Sequence, residues 1–110
     1  MDTSAQSALS QAIDLLWARF LPEIRQRVAV LEEAAAAFSA NTFTSRQKEA
    51  AHAAAHKLAG VLGTFNLTRG TVLARELELI YAQEAGPDAA LREQLTSIAA
   101  ELREIVENRK

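Results

Sequence analysis

Residues 44–67 read TSRQKEAAHAAAHKLAGVLGTFNL, and this stretch decides the fold more than any other part of the sequence. It begins with Thr44 and, three residues later, Gln47, which is the pattern of a helix capping box. Alanine, the residue with the highest helix propensity, is frequent in the rest of the stretch. We therefore predict a helix that is capped by Thr44 and runs to about Gly63, where a turn begins.

Two further helices are predicted before this stretch. Ser4 or Ser7 is suited to cap a first, short helix that ends near Phe20. Pro22 suits the first turn of a second helix, because a proline there gives up no hydrogen bond that the helix needs. The second helix either starts anew at this proline or continues the first one with a kink.

Two more helices are predicted after it. Thr68 is placed to cap a helix that runs to about Gln83, and Gly86-Pro87-Asp88 is a strong signal for a stop and a restart. Connections this short make successive helices antiparallel neighbours. We predict an all-α fold, an antiparallel up-down four-helix bundle with a short additional N-terminal helix, in which residues 1–110 form a single domain.

Composition and charge narrow the range of functions. Hydrophobic residues make up 49% of the chain and charged residues 24%, which is typical of a folded globular protein. The absence of cysteine excludes disulfides and thiolate chemistry. A net charge of −2 argues against nucleic acid, which requires a concentrated basic surface. Since no apolar run approaches the roughly 20 residues of a membrane span, we expect a cytoplasmic location.

Both histidines fall on the helix predicted for residues 44–67. A helix turns by about 100° per residue, so positions on its circumference can be read from the sequence. The side opposite His56 holds the apolar residues Ala54, Leu58, Val61 and Phe65. We therefore predict that these four residues face the core and that His56 points to solvent.

Two glycines, Gly60 and Gly63, share the exposed side with His56. Glycine inside a helix costs about 1 kcal/mol relative to alanine, and packing against the core does not explain it on an exposed side. What these glycines provide is room for a partner's backbone beside the imidazole. Glu49 and His52 lie on the same side, and for His52 an ordinary solvated histidine is the simplest interpretation.

The segment from Ala55 to Leu67, AHKLAGVLGTFNL, resembles the signature of histidine-containing phosphotransfer (HPt) domains, which act in two-component phosphorelay systems. The shared features are the histidine, an apolar residue two positions later, a glycine four positions later and a glycine-containing turn. Leu77-Glu78 fits a Leu-Glu pair in the family's next helix. The resemblance extends from about Trp17 to Val106 and implies a helical bundle.

The resemblance also implies roles for single residues. His56 matches the histidine that is phosphorylated, and Gly60 matches the glycine that clears the approach to it; Gly63 belongs to the turn after them. Lys57 occupies a position where lysine also occurs in the family. Glu78 matches a carboxylate that is associated with orienting the histidine in the chemotaxis-kinase branch.

Two positions depart from the family pattern. The common lysine three residues after the histidine is Ala59 here, so positive charge near a phosphoryl group must come from elsewhere, with Lys57 and Lys48 as candidates. Asn66 stands where a glycine is often found. Asparagine is the next best residue for a left-handed backbone, so this second change is mild.

The implied protein is a phosphoryl carrier without kinase activity of its own. The sequence has no Walker loop, no kinase glycine-rich loop and no convincing acidic cluster for magnesium. The resemblance implies that a response-regulator receiver domain, or a histidine kinase, supplies the rest, including Mg²⁺, so this chain needs no cofactor. We expect Val61, Leu62 or Phe65 to contribute to an apolar rim on which such a partner docks.

Two other functions stay open from the residues alone. His52 and His56 are four residues apart on one side of a helix, the spacing of helical zinc ligands, and Glu49 or residues of other helices would have to complete such a site. The second is a helical interaction or dimerisation module, including one that docks receivers without transferring phosphate. That module leaves Gly60 and Gly63 unexplained.

Overall fold

A computed structural model of the chain describes residues 3–84 and 88–109. Within these ranges it contains helices and no strand, namely α1 (Thr3–Ser39), α2 (Ser45–Thr64), α3 (Thr68–Ala82) and α4 (Ala89–Asn108). Helix α1 contacts α2 and α4, and α3 contacts the same two helices. The all-α bundle predicted from the sequence is confirmed.

Ion pairs between α1 and α4 show how these two helices run. Arg25 pairs with Glu107 at 2.7 Å, and Glu32 pairs with Arg103 at 2.7 Å. Later residues of α1 thus meet earlier residues of α4, so the two helices are antiparallel. Their charged edges are held together by long side chains that reach across the surface.

The separate N-terminal helix predicted from the sequence is wrong, because α1 continues through Pro22 without a break. Proline removes the N–H that would bond to the carbonyl of Ala18. Both residues are exposed, so water can satisfy that carbonyl. Trp17 and Ile24, on either side of the proline, are buried in the same core, and this packing keeps the two halves in one helix.

Helix α1 is the longest of the four described helices and spans the length of the molecule. Its 37 residues correspond to about 55 Å of helix, and the longest extent of the molecule is 55 Å. Its first turns therefore extend past the other helices, and the apolar residues Leu9, Ile13 and Leu16 stay exposed there. None of the described helices is both long enough and apolar enough to cross a membrane.

Helix α2 begins at the predicted capping box. The backbone N–H of Gln47 donates to Oγ1 of Thr44 at 3.1 Å, and the backbone N–H of Thr44 donates to Oε1 of Gln47 at 2.8 Å. The predicted core side of α2 is confirmed as well. Leu58 is fully buried, Ala54 and Phe65 are buried, and Val61 is half-buried.

The turn between α2 and α3 agrees with the prediction in one respect and departs from it in another. Asn66 has a φ of 59°, the left-handed conformation expected for an asparagine in place of glycine. Thr68 does not cap α3, because it is already the first helical residue and Leu67 is the cap, without a side-chain hydrogen bond. Leu67 packs against the core instead.

Gly70, which the sequence analysis did not single out, is buried where α3 meets α2. A Cβ on Gly70 would lie 2.9 Å from Cδ1 of Leu62, closer than side chains pack. The glycine therefore allows α3 to approach α2. Of the predicted stop between α3 and α4, Gly86 and Pro87 lie outside the described residues, whereas Asp88 caps α4 through a bond from the Ala90 N–H.

Candidate functional site

His56 lies in the middle of α2 on the side that faces solvent. Its side chain is 71% exposed, and its Nδ1 lies 2.7 Å from Oε2 of Glu78 on α3. The Glu78 side chain is more enclosed, with 22% exposed. The structure thus brings together two residues that the sequence separates by 22 positions, and a carboxylate holds one edge of an exposed ring.

This contact determines which nitrogen of His56 is free. An ionised carboxylate only accepts hydrogen bonds, so Nδ1 carries the hydrogen and donates it to Glu78. In a neutral ring the other nitrogen, Nε2, then keeps its lone pair. No group within residues 3–84 and 88–109 makes a hydrogen bond to Nε2. Nε2 is therefore the atom suited to act as a nucleophile.

Gly60 lies one helical turn after His56 and borders open space. A Cβ on Gly60 would meet no atom within 4 Å, whereas a Cβ on Gly63 would lie in ordinary contact, 3.6 Å from Oγ1 of Thr71. Neither glycine has a positive φ, so neither is required by its backbone conformation. Neither packing nor backbone conformation requires a glycine at position 60. Because Gly60 has no side chain, the surface of α2 beside the imidazole is flat.

Three residues of α3 form a stripe on one side of the helix, and the two at its ends contact α2. Thr71, Arg75 and Glu78 occupy positions i, i+4 and i+7 and so share one side of the helix. At one end of the stripe, the Thr71 hydroxyl lies 3.5 Å from the carbonyl oxygen of Ala59. At the other end Glu78 holds the histidine. Along α3, Arg75 therefore lies between the residue that contacts Ala59 and the residue that contacts His56.

Arg75, in the middle of this stripe, was not among the residues predicted from the sequence. It is exposed, and its side chain makes no ion pair or hydrogen bond with any part of the chain that the structure describes. The signal that would have found it is the spacing to Glu78, since residues three apart on a helix are neighbours. Matching Glu78 to the site therefore also brings in Arg75.

The two lysines proposed from the sequence lie less favourably. Lys57 is the next residue after His56 and is exposed, but it is turned by about 100° around α2. Lys48 lies two turns earlier, about 12 Å along the axis, and lines a groove with Tyr81. Ala59, where lysine is common in HPt domains, is only 3% exposed because it faces α3.

The apolar rim expected from the sequence is largely wrong. Leu62 is fully buried and Phe65 is 9% exposed, so neither is available to a partner, and Val61 is half-buried. Phe65 packs edge-to-face with Trp17 instead, at 5.1 Å between ring centroids, and this contact joins the end of α2 to α1.

The exposed apolar residues near the site belong to α3. Val72 is 50% exposed and Leu79 is 66% exposed. They are seven residues apart, so they lie on one side of α3, with Arg75 between them along the helix. A partner that covers His56 from this direction would meet an arginine flanked by two apolar side chains.

The second histidine does not join the first in a larger cluster. His52 is half-buried and lines the groove that contains Glu49 and Tyr81. Among residues 3–84 and 88–109, no three histidine, cysteine, aspartate or glutamate side chains come together in a way that would hold a metal ion. The polar neighbour of His56 is Glu78 rather than His52.

The chain is similar to one known protein family over most of its length. The family model of the Hpt domain matches residues 15–108. Protein RcaC of Microchaete diplosiphon is 37% identical over 62 residues, which are 56% of this chain and 10% of RcaC. The chain thus spans only a small part of the length of that relative. No solved structure matches the chain.

Proposed function

The chain belongs to the Hpt domain family, whose members transfer phosphoryl groups on histidine in phosphorelays, and from this premise we propose that His56 is its phosphoacceptor. His56 accepts a phosphoryl group from a receiver-domain aspartate or a histidine kinase, carries it as phosphohistidine, and passes it on. The domain is a carrier in the cytoplasm and has no kinase activity of its own.

One observation carries this assignment above all others, the contact between Nδ1 of His56 and the carboxylate of Glu78 at 2.7 Å. The contact leaves Nε2 with a lone pair directed away from α3, on a ring that is 71% exposed. Nucleophilic attack on phosphorus needs such a lone pair and a clear line of approach. Gly60 supplies the clearance one turn after the histidine, because it has no side chain and borders open space.

The proposed step forms the bond between Nε2 and phosphorus while the bond between phosphorus and the aspartyl oxygen of the donor breaks. The donor leaves as a carboxylate, and the imidazole gains positive charge. Glu78 stabilises this charge, because it already accepts the hydrogen on Nδ1. Passing the phosphoryl group to a second aspartate reverses these bond changes.

The partner completes the site. We propose that the receiver brings the acidic ligands, the Mg²⁺ that they bind and its own lysine, and that this domain contributes the histidine and its surroundings. Phosphoryl transfer depends on in-line positioning and on neutralising the phosphoryl oxygens. Val72 and Leu79, exposed on α3, are suited to contact the receiver.

The experiment that tests the assignment uses a receiver phosphorylated with acetyl phosphate and the purified domain, with Mg²⁺ present. We expect the domain to acquire phosphate that is labile in acid and stable in base, as phosphohistidine is. His56→Gln should abolish uptake, and the matched variant His52→Gln should retain it. Uptake that survives in His56→Gln and disappears in His52→Gln would reject His56, and binding of the receiver without any uptake would indicate a docking module instead.

A further inference from the structure

Transfer to a histidine brings negatively charged phosphoryl oxygens next to His56, and this chain has an alanine where HPt domains commonly have a lysine. Ala59 is 3% exposed and faces α3, so no side chain of that residue reaches the phosphoryl group. Glu78 is the polar side chain in contact with His56, and its charge has the wrong sign for phosphate. If this chain itself contributes a cation to the phosphoryl group, that cation has to come from another position.

Arg75 has the position and the freedom for this role. The contacts of Thr71 and Glu78 with α2 fix the register of α3, and Arg75 lies between them on the same side of the helix. The space next to it above Gly60 is open, because even a Cβ on Gly60 would touch nothing within 4 Å. A long side chain can cross that space to an oxygen held on Nε2 of His56.

The Arg75 guanidinium is also not engaged in an ion pair with any described residue. Other arginines of the bundle are engaged in ion pairs, such as Arg69 with Glu101 and Arg103 with Glu32. The Arg75 side chain has no such partner within the described ranges. Binding a phosphoryl group therefore requires no existing ion pair to be broken, and a guanidinium matches phosphate oxygens with two parallel N–H donors.

We propose that Arg75 binds the phosphoryl group on His56 and supplies the positive charge that Ala59 does not. This inference rests on the proposed function, since it requires His56 to be phosphorylated. During transfer to the domain, the Arg75 guanidinium donates hydrogen bonds to the non-bridging oxygens while the bond from Nε2 to phosphorus forms and the aspartyl carboxylate leaves. No proton moves to or from Arg75, which stays charged throughout.

The test compares Arg75→Gln with Arg75→Lys and with a matched control, Arg46→Gln. Arg46 is also exposed and without a described ion pair, but it lies ten residues before His56 on α2, about 15 Å along the axis. We expect Arg75→Gln to slow transfer from a phosphorylated receiver by about tenfold, Arg75→Lys to retain most of the rate, and Arg46→Gln to match the wild type. The loss should shrink at high salt, because the site is exposed to solvent.

A second measurement separates charge at the site from folding or docking. The isolated domain and its variants are phosphorylated on histidine with phosphoramidate, and the phosphorus resonance is monitored against pH. Removing a nearby cation makes the dianionic phosphoryl group less favourable, so its last pKa should rise in Arg75→Gln and stay unchanged in Arg46→Gln.

The outcomes distinguish the two proposals. A wild-type domain that takes no phosphate from any receiver overturns the proposed function and this inference with it. A wild-type domain that transfers normally, with Arg75→Gln equal to it in rate and in phosphoryl pKa, overturns the inference alone. Equal losses in Arg75→Gln and Arg46→Gln would also overturn it, because they would indicate a general effect of net charge.

Discussion

Replacing Gly60 with alanine should stabilise the protein. The new Cβ would meet no atom within 4 Å, so the change adds no steric conflict. Gly60 lies inside α2, four residues before its last residue, where alanine is favoured over glycine by about 1 kcal/mol. For a domain of this size, that gain corresponds to a rise in Tm of roughly 4 °C.

The same substitution at Gly70 should have the opposite effect. A Cβ there would lie 2.9 Å from Cδ1 of Leu62 and 3.5 Å from Cγ2 of Ile105. Leu62 is fully buried, so moving its side chain aside would disturb the close packing around it. Forcing an extra carbon into such a core costs about 1–3 kcal/mol, which exceeds the gain in helix propensity.

Thermal and urea unfolding of the two variants, monitored by circular dichroism, measures the predicted gain in stability at Gly60 and the predicted loss at Gly70. A Gly60→Ala variant less stable than the wild type would refute the conclusion that Gly60 has no role in packing. The role of Gly60 in access to His56 is tested with Gly60→Gln, which should be at least as stable as the wild type and yet transfer phosphate more slowly. Equal transfer rates would remove the argument that Gly60 provides access to His56.

Two further predictions concern pH and metal. Burial raises the pKa of Tyr81 to about 12, from about 10 in the unfolded chain. Because only the unfolded chain ionises readily between these values, the free energy of unfolding should be constant below about pH 10 and fall by roughly 2–3 kcal/mol as pH rises through 12. Tyr81 is the only tyrosine, so phenolate absorbance reports it directly, and a midpoint near 10 in the folded protein would contradict this. The melting temperature of the isolated domain should not respond to zinc, magnesium or EDTA, whereas a zinc site would add about 2.7 kcal/mol at a hundredfold excess of metal over Kd. A zinc-dependent rise that disappears in His52→Ala would favour the metal interpretation.

Much of the site could be predicted from one helix. The capping box at Thr44 fixes the start of α2, and the period of the helix then places Leu58 inside and His56 outside. The same count put Gly60 beside His56 on the exposed side. These predictions needed only local geometry, which a sequence contains in full.

The errors lie where contacts between helices decide the outcome. Pro22 was expected either to start a separate helix or to kink a continuous one, and the burial of Trp17 and Ile24 on both sides of it holds α1 in one piece. Leu62 was expected near a docking surface, although it is fully buried against α3, where Gly70 allows close approach. The register between α2 and α3 cannot be read from either helix alone, and that register decides which residues of α3 reach the site.

The ion pairs that join the helices lie on a different part of the surface from His56. In the parts of the chain that the structure describes, ion pairs between arginine and glutamate join α4 to α1 and to α3, and the pairs Arg25–Glu107 and Arg69–Glu101 are examples. None of these pairs involves helix α2, which instead contacts a carboxylate of α3 through His56 and Glu78.

An ion pair beside His56 would have to break whenever a phosphoryl group or a partner replaced one of its members, and breaking it would oppose binding. Leaving Arg75 unpaired avoids that cost, although the fold then gains no ion pair at this position. The stabilising pairs and the proposed phosphoryl-binding charge can therefore change independently. Substitutions along α4 should alter stability without altering transfer, and substitution of Arg75 should do the reverse.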